Sequence, residues 1–268
     1  DFSAYGLERD VIVPENVAWA HRRNEQEHTD VYFISNQEDT PREFMASFRI
    51  KGMLPEWWNP MTGEITEQFS WKANENRTEV TMRLEAGESA FIIFRKPTKE
   101  TERGLFVWNK KENLQVKEWT VRFESIGKEV KRNTLFDWSK EADEQIRYYS
   151  GTAIYTGDFS WTQPEKEGEK VLLELGTLCD VAAVKVNGVD CGIAWTAPYE
   201  VDITKALKKG TNTVEIEVTN SWANALSGAG QGKAPYEGIW TNGNYRLASK
   251  DLLPAGLLGP LKLVKSNK

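Results

Sequence analysis

Apolar positions recur along this chain at every second residue, in short bursts, and nowhere with the 3.6-residue spacing of a helix. In Thr213–Thr219, Val214, Ile216 and Val218 alternate with Thr213, Glu215, Glu217 and Thr219, the signature of a strand with one buried and one wet face. Thr78–Leu84 repeats the pattern through Val80, Met82 and Leu84, and Arg42–Ile50 through Phe44, Ala46 or Met45, Phe48 and Ile50. Val17–Trp19 and Asp30–Ser35 read as strands around the polar turn 23–29, and Ser89–Phe94 as a short apolar run. Trp119–Phe123, Gly151–Phe159, Lys170–Leu175 and Ala182–Val186 continue the series.

The punctuation agrees. Asn187-Gly188 predicts a tight hairpin because both residues tolerate positive φ. Trp57-Trp58-Asn59-Pro60-Met61-Thr62-Gly63 predicts a turn with one indole directed inward and the other outward. Asp137-Trp138-Ser139 reads as the start of a capped helical turn over 140–144, with Ser139 as N-cap. Val201–Leu207 reads as a strand ending in one helical turn, and Leu257–Val264 as a single closing strand. Between them, residues 221–256 form a long Gly- and Asn-rich loop carrying Trp222, Tyr236, Trp240 and Tyr245; loops of that length are usually functional or interfacial. The polar stretch 95–103, RKPTKETER, is the natural linker. The expected architecture is therefore all-β: an antiparallel β-sandwich over 1–98 and a jelly roll over 103–268.

Composition narrows the function classes. A formal net charge of −6 without a basic face argues against nucleic acid. No run of about 18 apolar residues predicts a membrane span. Eleven Trp and eleven Phe in 268 residues suit β-rich cores or aromatic sugar platforms. The opening, DFSAYGLERD, has neither Met nor a signal-peptide pattern and reads as a mature product or an excised fragment. Cys179 and Cys191 flank the Asn-Gly hairpin, which leaves a cross-strand disulfide and two buried thiols both open. His21 and His28 are the only histidines, and no His/Cys spacing predicts a metal centre.

Several motifs together carry a resemblance. His21-Arg22-Arg23 followed by 30–36 (DVYFISN) is similar to an "HR… DIYFVSN" stretch, and 58–63 (WNPMTG) to a "WDPxTG" turn. The strand and hairpin series from Tyr148 to Asn220 and the ending 256–261 (GLLGPL) complete the match. The chain resembles the C-terminal region of bacterial α-L-rhamnosidases of glycoside hydrolase family 106, with a family 2-type sugar-binding, galactose-binding-like jelly roll. Where that family has a word like "WVNRLIGD", this chain has Trp222-Ala-Asn-Ala-Leu-Ser-Gly-Ala229, so its basic and acidic members are replaced by Ala225 and Ala229. Any role of those two charges is missing here.

The resemblance implies a catalytic (β/α)₈ barrel N-terminal to these sandwiches, and no eightfold strand–helix alternation is present in this sequence. It also implies a bacterial protein acting outside the cytoplasm, periplasmic or secreted. The expected role is accessory: support of the catalytic domain of the parent chain, with carbohydrate as a further partner. Asp180, Asp190, Asp202 and Glu237 lie in or beside the interesting loops, but none sits in an acid/base motif. No cofactor is expected; some galactose-binding-like jelly rolls hold a structural Ca²⁺, for which no ligand run here assigns a site. The candidate carbohydrate-binding set is Trp195, Tyr199, Asn220, Trp222, Asn224, Tyr236 and Trp240, indoles and phenols for sugar C–H faces and amides for hydroxyls. Core plugs or interdomain contacts are the competing reading of each. His21, Arg22, Trp57 and Trp58 are candidate interdomain or cleft residues. An independent carbohydrate-binding module, or a glycosidase in its own right, are the alternative functions.

Overall fold

A computed structural model describes residues 3–104, 109–162 and 169–267. The chain divides into two compact units, residues 1–107 and 108–268. Both are built from antiparallel sheets, as the alternating pattern predicts.

Among the described residues, the first unit has two five-stranded sheets. One runs Val11–Ile12, Arg42–Phe48, Thr78–Leu84, Trp71–Ala73 and Glu102–Arg103 in spatial order. The other runs Val17–Asn24, Thr29–Asn36, Ser89–Pro97, Met53–Trp58 and Ile65–Thr66. Their facing sides bury Tyr32, Ile34, Phe48, Val80, Met82, Ile92 and Phe94 in one core. The predicted linker is a correction. Residues 95–97 continue the strand Ser89–Pro97, and Glu102 and Arg103 pair with Lys72 and Trp71. Arg103 also donates to the Glu67 carbonyl at 2.7 Å and pairs with Glu100 at 2.8 Å. A strand with little buried surface has no apolar alternation, so it reads as a linker.

In the second unit the described residues form a six-stranded sheet, a four-stranded sheet and a two-stranded ribbon. The six strands, in order, are Lys128–Arg132, Trp119–Phe123, Thr152–Trp161, Gly210–Thr219, Val181–Val186 and Val189–Ala194. The four are Asn109–Asn113, Lys262–Asn267, Glu169–Glu174 and Glu200–Asp202. The core between them takes every second residue of the strand Gly210–Thr219: Val214, Ile216 and Val218 are fully buried. Each such side chain stabilises by about 1.5–3 kcal/mol. Asn187 and Gly188 turn the hairpin with φ of 52° and 78°, as predicted.

Four local expectations change. The cap at 137–140 is Asp137, whose carboxylate accepts from the Ser139 N–H at 3.0 Å and its hydroxyl at 2.7 Å; Ser139 lies inside the turn. The Trp57-Trp58 pair ends a strand, Met53–Trp58, and the turn follows it. The loop 221–256 contains an α-helix, Ala223–Gly230. The closing strand is two strands, Gly256–Gly259 in the two-stranded ribbon and Lys262–Asn267 in the four-stranded sheet, with Pro260 between them. Proline lacks the N–H a continuous ladder needs.

Candidate functional site

Register gathers four chain segments at one end of the six-stranded sheet. Thr219 pairs with both Thr152 and Val181, and Ala182 pairs with Ala194. Residues 150–151, 179–180, 195–199 and 220–222 therefore leave the sheet together. Asp180 ties two of these segments, donating its N–H to the Thr219 carbonyl at 3.0 Å and accepting the Ser221 N–H at 2.8 Å. The turn 196–199 closes through the Tyr199 N–H to the Thr196 carbonyl at 2.8 Å. Burial pushes the Tyr199 phenol up, reinforced by the neighbouring Asp180 and Cys179.

The two amides of the candidate set are already consumed. Asn220, 8% exposed, accepts the Gly151 N–H at 2.9 Å and donates to the Tyr149 carbonyl at 3.0 Å. Asn224, 2% exposed, clamps the Leu253 backbone, donating to its carbonyl at 2.7 Å and accepting its N–H at 2.8 Å. Tyr236 packs half-buried on the core and donates its hydroxyl to the Ser150 carbonyl. Tyr199 likewise packs on the core. These four hold loops in place.

Trp195, Trp222 and Trp240 remain exposed, at 59%, 51% and 74%. Trp195 and Ile193 flank the buried Ala194 along an alternating strand, so both face outward. Val181, next to the buried Ala182, joins them on the outer side of the sheet. The result is an apolar corner of Val181, Ile193 and Trp195, with Trp222 one residue beyond the Ser221–Asp180 bond.

The other candidates separate cleanly. Trp57 packs inward on Phe69, with ring centroids 5.9 Å apart, while Trp58 faces outward under the Arg95 guanidinium at 5.1 Å. The Trp58 indole donates to Glu56 at 3.1 Å. Burial raises the fully buried Glu56 carboxyl, but bonds from Lys96, Arg95 and Trp58 outweigh it and hold the group below the usual glutamate range. Arg22 is exposed on an edge strand. His21 is locked: Nδ1 lies 2.7 Å from Asp10, Nε2 lies 2.9 Å from Asp30, and the ring stacks on Tyr32 at 4.0 Å. Sequence reasoning missed Asp10, Asp30 and Glu56. Asp30 was legible in part, being two residues before Tyr32 in an alternating strand.

Asp180, Asp190 and Asp202 accept backbone N–H groups of Ser221, Gly192 and Thr204 at 2.8, 2.8 and 2.9 Å, and Glu237 is exposed. Cys179 and Cys191 are free thiols whose pKa values burial raises. Cys179 pairs with Gly256 in the two-stranded ribbon and Cys191 lies on the outer strand of the six-stranded sheet. Among the described residues, no group of three or more His, Cys, Asp or Glu side chains is arranged to hold a metal ion. No helix among them is long and apolar enough to cross a membrane.

Comparison with known proteins gives two family matches. Residues 108–249 match the glycosyl hydrolase 2 galactose-binding domain-like family, and residues 2–73 match an alpha-L-rhamnosidase family. A solved structure of a rhamnosidase from Novosphingobium sp. PP1Y superposes with a TM-score of 0.85 at 32% identity, over 98% of this chain and 26% of that one. A protein of Formosa agariphila described as a "Putative beta-glucuronidase" is 33% identical over a 173-residue alignment, covering 54% of this chain and 15% of the relative. The chain thus spans about a quarter or less of the length of these relatives.

Proposed function

The chain belongs to the glycosyl hydrolase 2 galactose-binding domain-like family and is a rhamnosidase-related region of glycoside-hydrolase type, and from that premise we propose that it is a non-catalytic accessory region of a bacterial α-L-rhamnosidase-like enzyme. Its role is to support the catalytic barrel of that enzyme, outside the cytoplasm, where polysaccharide is met. The observation that carries this reading is the apolar corner of Val181, Ile193 and Trp195 beside Trp222. Its aromatic surface is exposed, while the neighbouring amides of Asn220 and Asn224, which a sugar's hydroxyls would need, are spent on backbone. Exposed apolar patches without free polar partners fit protein contact better than sugar binding.

The independent-module reading keeps one supporting observation, the flat exposed indoles of Trp195, Trp222 and Trp240. One experiment separates the two. Trp195→Ala and Trp222→Ala are made in this 268-residue chain and in a longer protein that includes the adjoining coding region. The accessory reading expects unchanged melting of the short chain, a destabilised longer protein, and no aglycone release from aryl α-L-rhamnosides by the short chain. Glycan binding by the short chain that disappears in these variants, or release of aglycone, would overturn it.

A further inference from the structure

A second constellation lies within the first unit and is not absorbed by that reading. Trp19 pairs with Ile34 and His21 with Tyr32, so both point to the core side of their sheet. They sit on its edge strand, Val17–Asn24. The edge of the opposing sheet is only the two-residue strand Val11–Ile12, and the Trp19 indole stays 43% exposed. An indole on the inward side of a sandwich, left uncovered, is unusual for a residue whose burial would contribute substantially to stability.

The indole forms one wall of a cavity of about 320 Å³, whose other walls are Arg9, Asp10, Val11 and Val13. Ligand pockets span roughly 300–1,000 Å³, so this one, open to solvent beside Trp19, has room for a monosaccharide unit. Its polar wall is held rigidly. Asp10 lies 2.7 Å from the His21 ring, accepts the Tyr32 hydroxyl at 3.3 Å and faces Arg49 at 3.7 Å. His21 is in turn fixed by Asp30 at 2.9 Å and by stacking on Tyr32. These bonds fix the direction of the Asp10 carboxylate at the cavity wall. The Asp10 side chain nonetheless keeps 22% of its surface exposed.

From this geometry we infer that the first unit carries a pyranoside-binding subsite, with Trp19 as the platform for a sugar C–H face and Asp10 as the acceptor for its hydroxyls. Val13, half-buried beside the core residue Val11, takes the ligand's apolar edge. His21, Tyr32 and Arg49 are positioning residues that orient the Asp10 carboxylate. The inference rests on the glycoside-hydrolase reading above for its choice of ligand class.

The test is saturation-transfer NMR on the 268-residue chain with methyl α-L-rhamnopyranoside, methyl β-D-galactopyranoside and methyl β-D-glucopyranosiduronate as probes. At least one is expected to give saturable binding. Trp19→Ala and Asp10→Asn should each weaken it about tenfold or more, and Trp195→Ala should leave it unchanged. Trp19→Leu keeps an apolar side chain without the flat ring, and is expected to retain the melting temperature and lose the binding. Absence of saturable signal with all three probes overturns the subsite, as does binding that survives both Trp19 variants. Either failure leaves the Trp195 and Trp222 comparison standing, and aglycone release would sink the accessory role without touching Trp19.

Discussion

Replacing Asn220 by Ala separates a structural amide from a sugar ligand. The side chain fixes the backbone at 149–151, where Gly151 has φ of 144° and an added Cβ would lie 3.0 Å from the Tyr149 hydroxyl oxygen. Truncation leaves the Gly151 N–H and the Tyr149 carbonyl without their partner. Each unpaired buried group costs about 1–3 kcal/mol. With 8% exposure a water replaces part of the loss, so the lower half of the summed range applies, roughly 2–4 kcal/mol. For a unit of this size 1 kcal/mol shifts Tm by about 2–4 °C, which makes the fall on the order of 4–16 °C. Trp222→Ala, at 51% exposure two residues away, should change stability by less than about 1 kcal/mol. The assay is thermal and urea unfolding of the full chain, reading the transition of the second unit because two units need not melt together. The reasoning fails if Asn220→Ala melts like the parent chain, and fails doubly if it also removes glycan binding.

Two more outcomes follow from the core and its cap. The buried Tyr155 hydroxyl accepts the Trp138 indole N–H at 2.6 Å and the Leu257 N–H at 3.2 Å, so Tyr155→Phe strands two donors and should cost about 2–4 kcal/mol in urea titration. Burial raises the Asp137 carboxyl, but the Ser139 hydroxyl, the N–H groups of Ala255 and Ser139 and the Lys140 charge outweigh it and hold it below the usual aspartate range. A depressed folded pKa gives stability that is present above the unfolded value, near ~4, and is lost as pH falls through the folded one. The second unit should therefore lose Tm below about pH 4, and less steeply in Asp137→Asn, whose Oδ1 keeps the same three donors.

What the sequence made legible was the in-and-out periodicity of strands. Val214, Ile216 and Val218 announce their burial, Asn187-Gly188 announces its turn, and the all-β class follows. The helix Ala223–Gly230 stayed hidden because its glycines serve tertiary contact and read as loop residues. A Cβ on Gly228 would sit 2.7 Å from the Lys233 carbonyl oxygen, and one on Gly230 1.7 Å from that of Leu247. A residue of low helix propensity is retained there because only glycine admits the neighbouring backbone.

The partners of the candidate amides were not legible, for the complementary reason. Periodicity assigns a side chain to a face, but the fate of a polar residue at a strand end depends on partners far along the chain. Asn220 is spent on residues 69 and 71 positions away, and Asn224 on one 29 positions away. Trp19 shows the same dependence. Its pairing with Ile34 puts it on the inward face, and the shortness of the opposing strand leaves it open to solvent. Burial at the margins of a sandwich is thus decided by the length of the strand across the core, a property of another segment. Lengthening the edge around Val11–Ile12 would close the cavity without altering any residue that lines it on the Trp19 side, so the openness of this corner is specified by the opposing sheet.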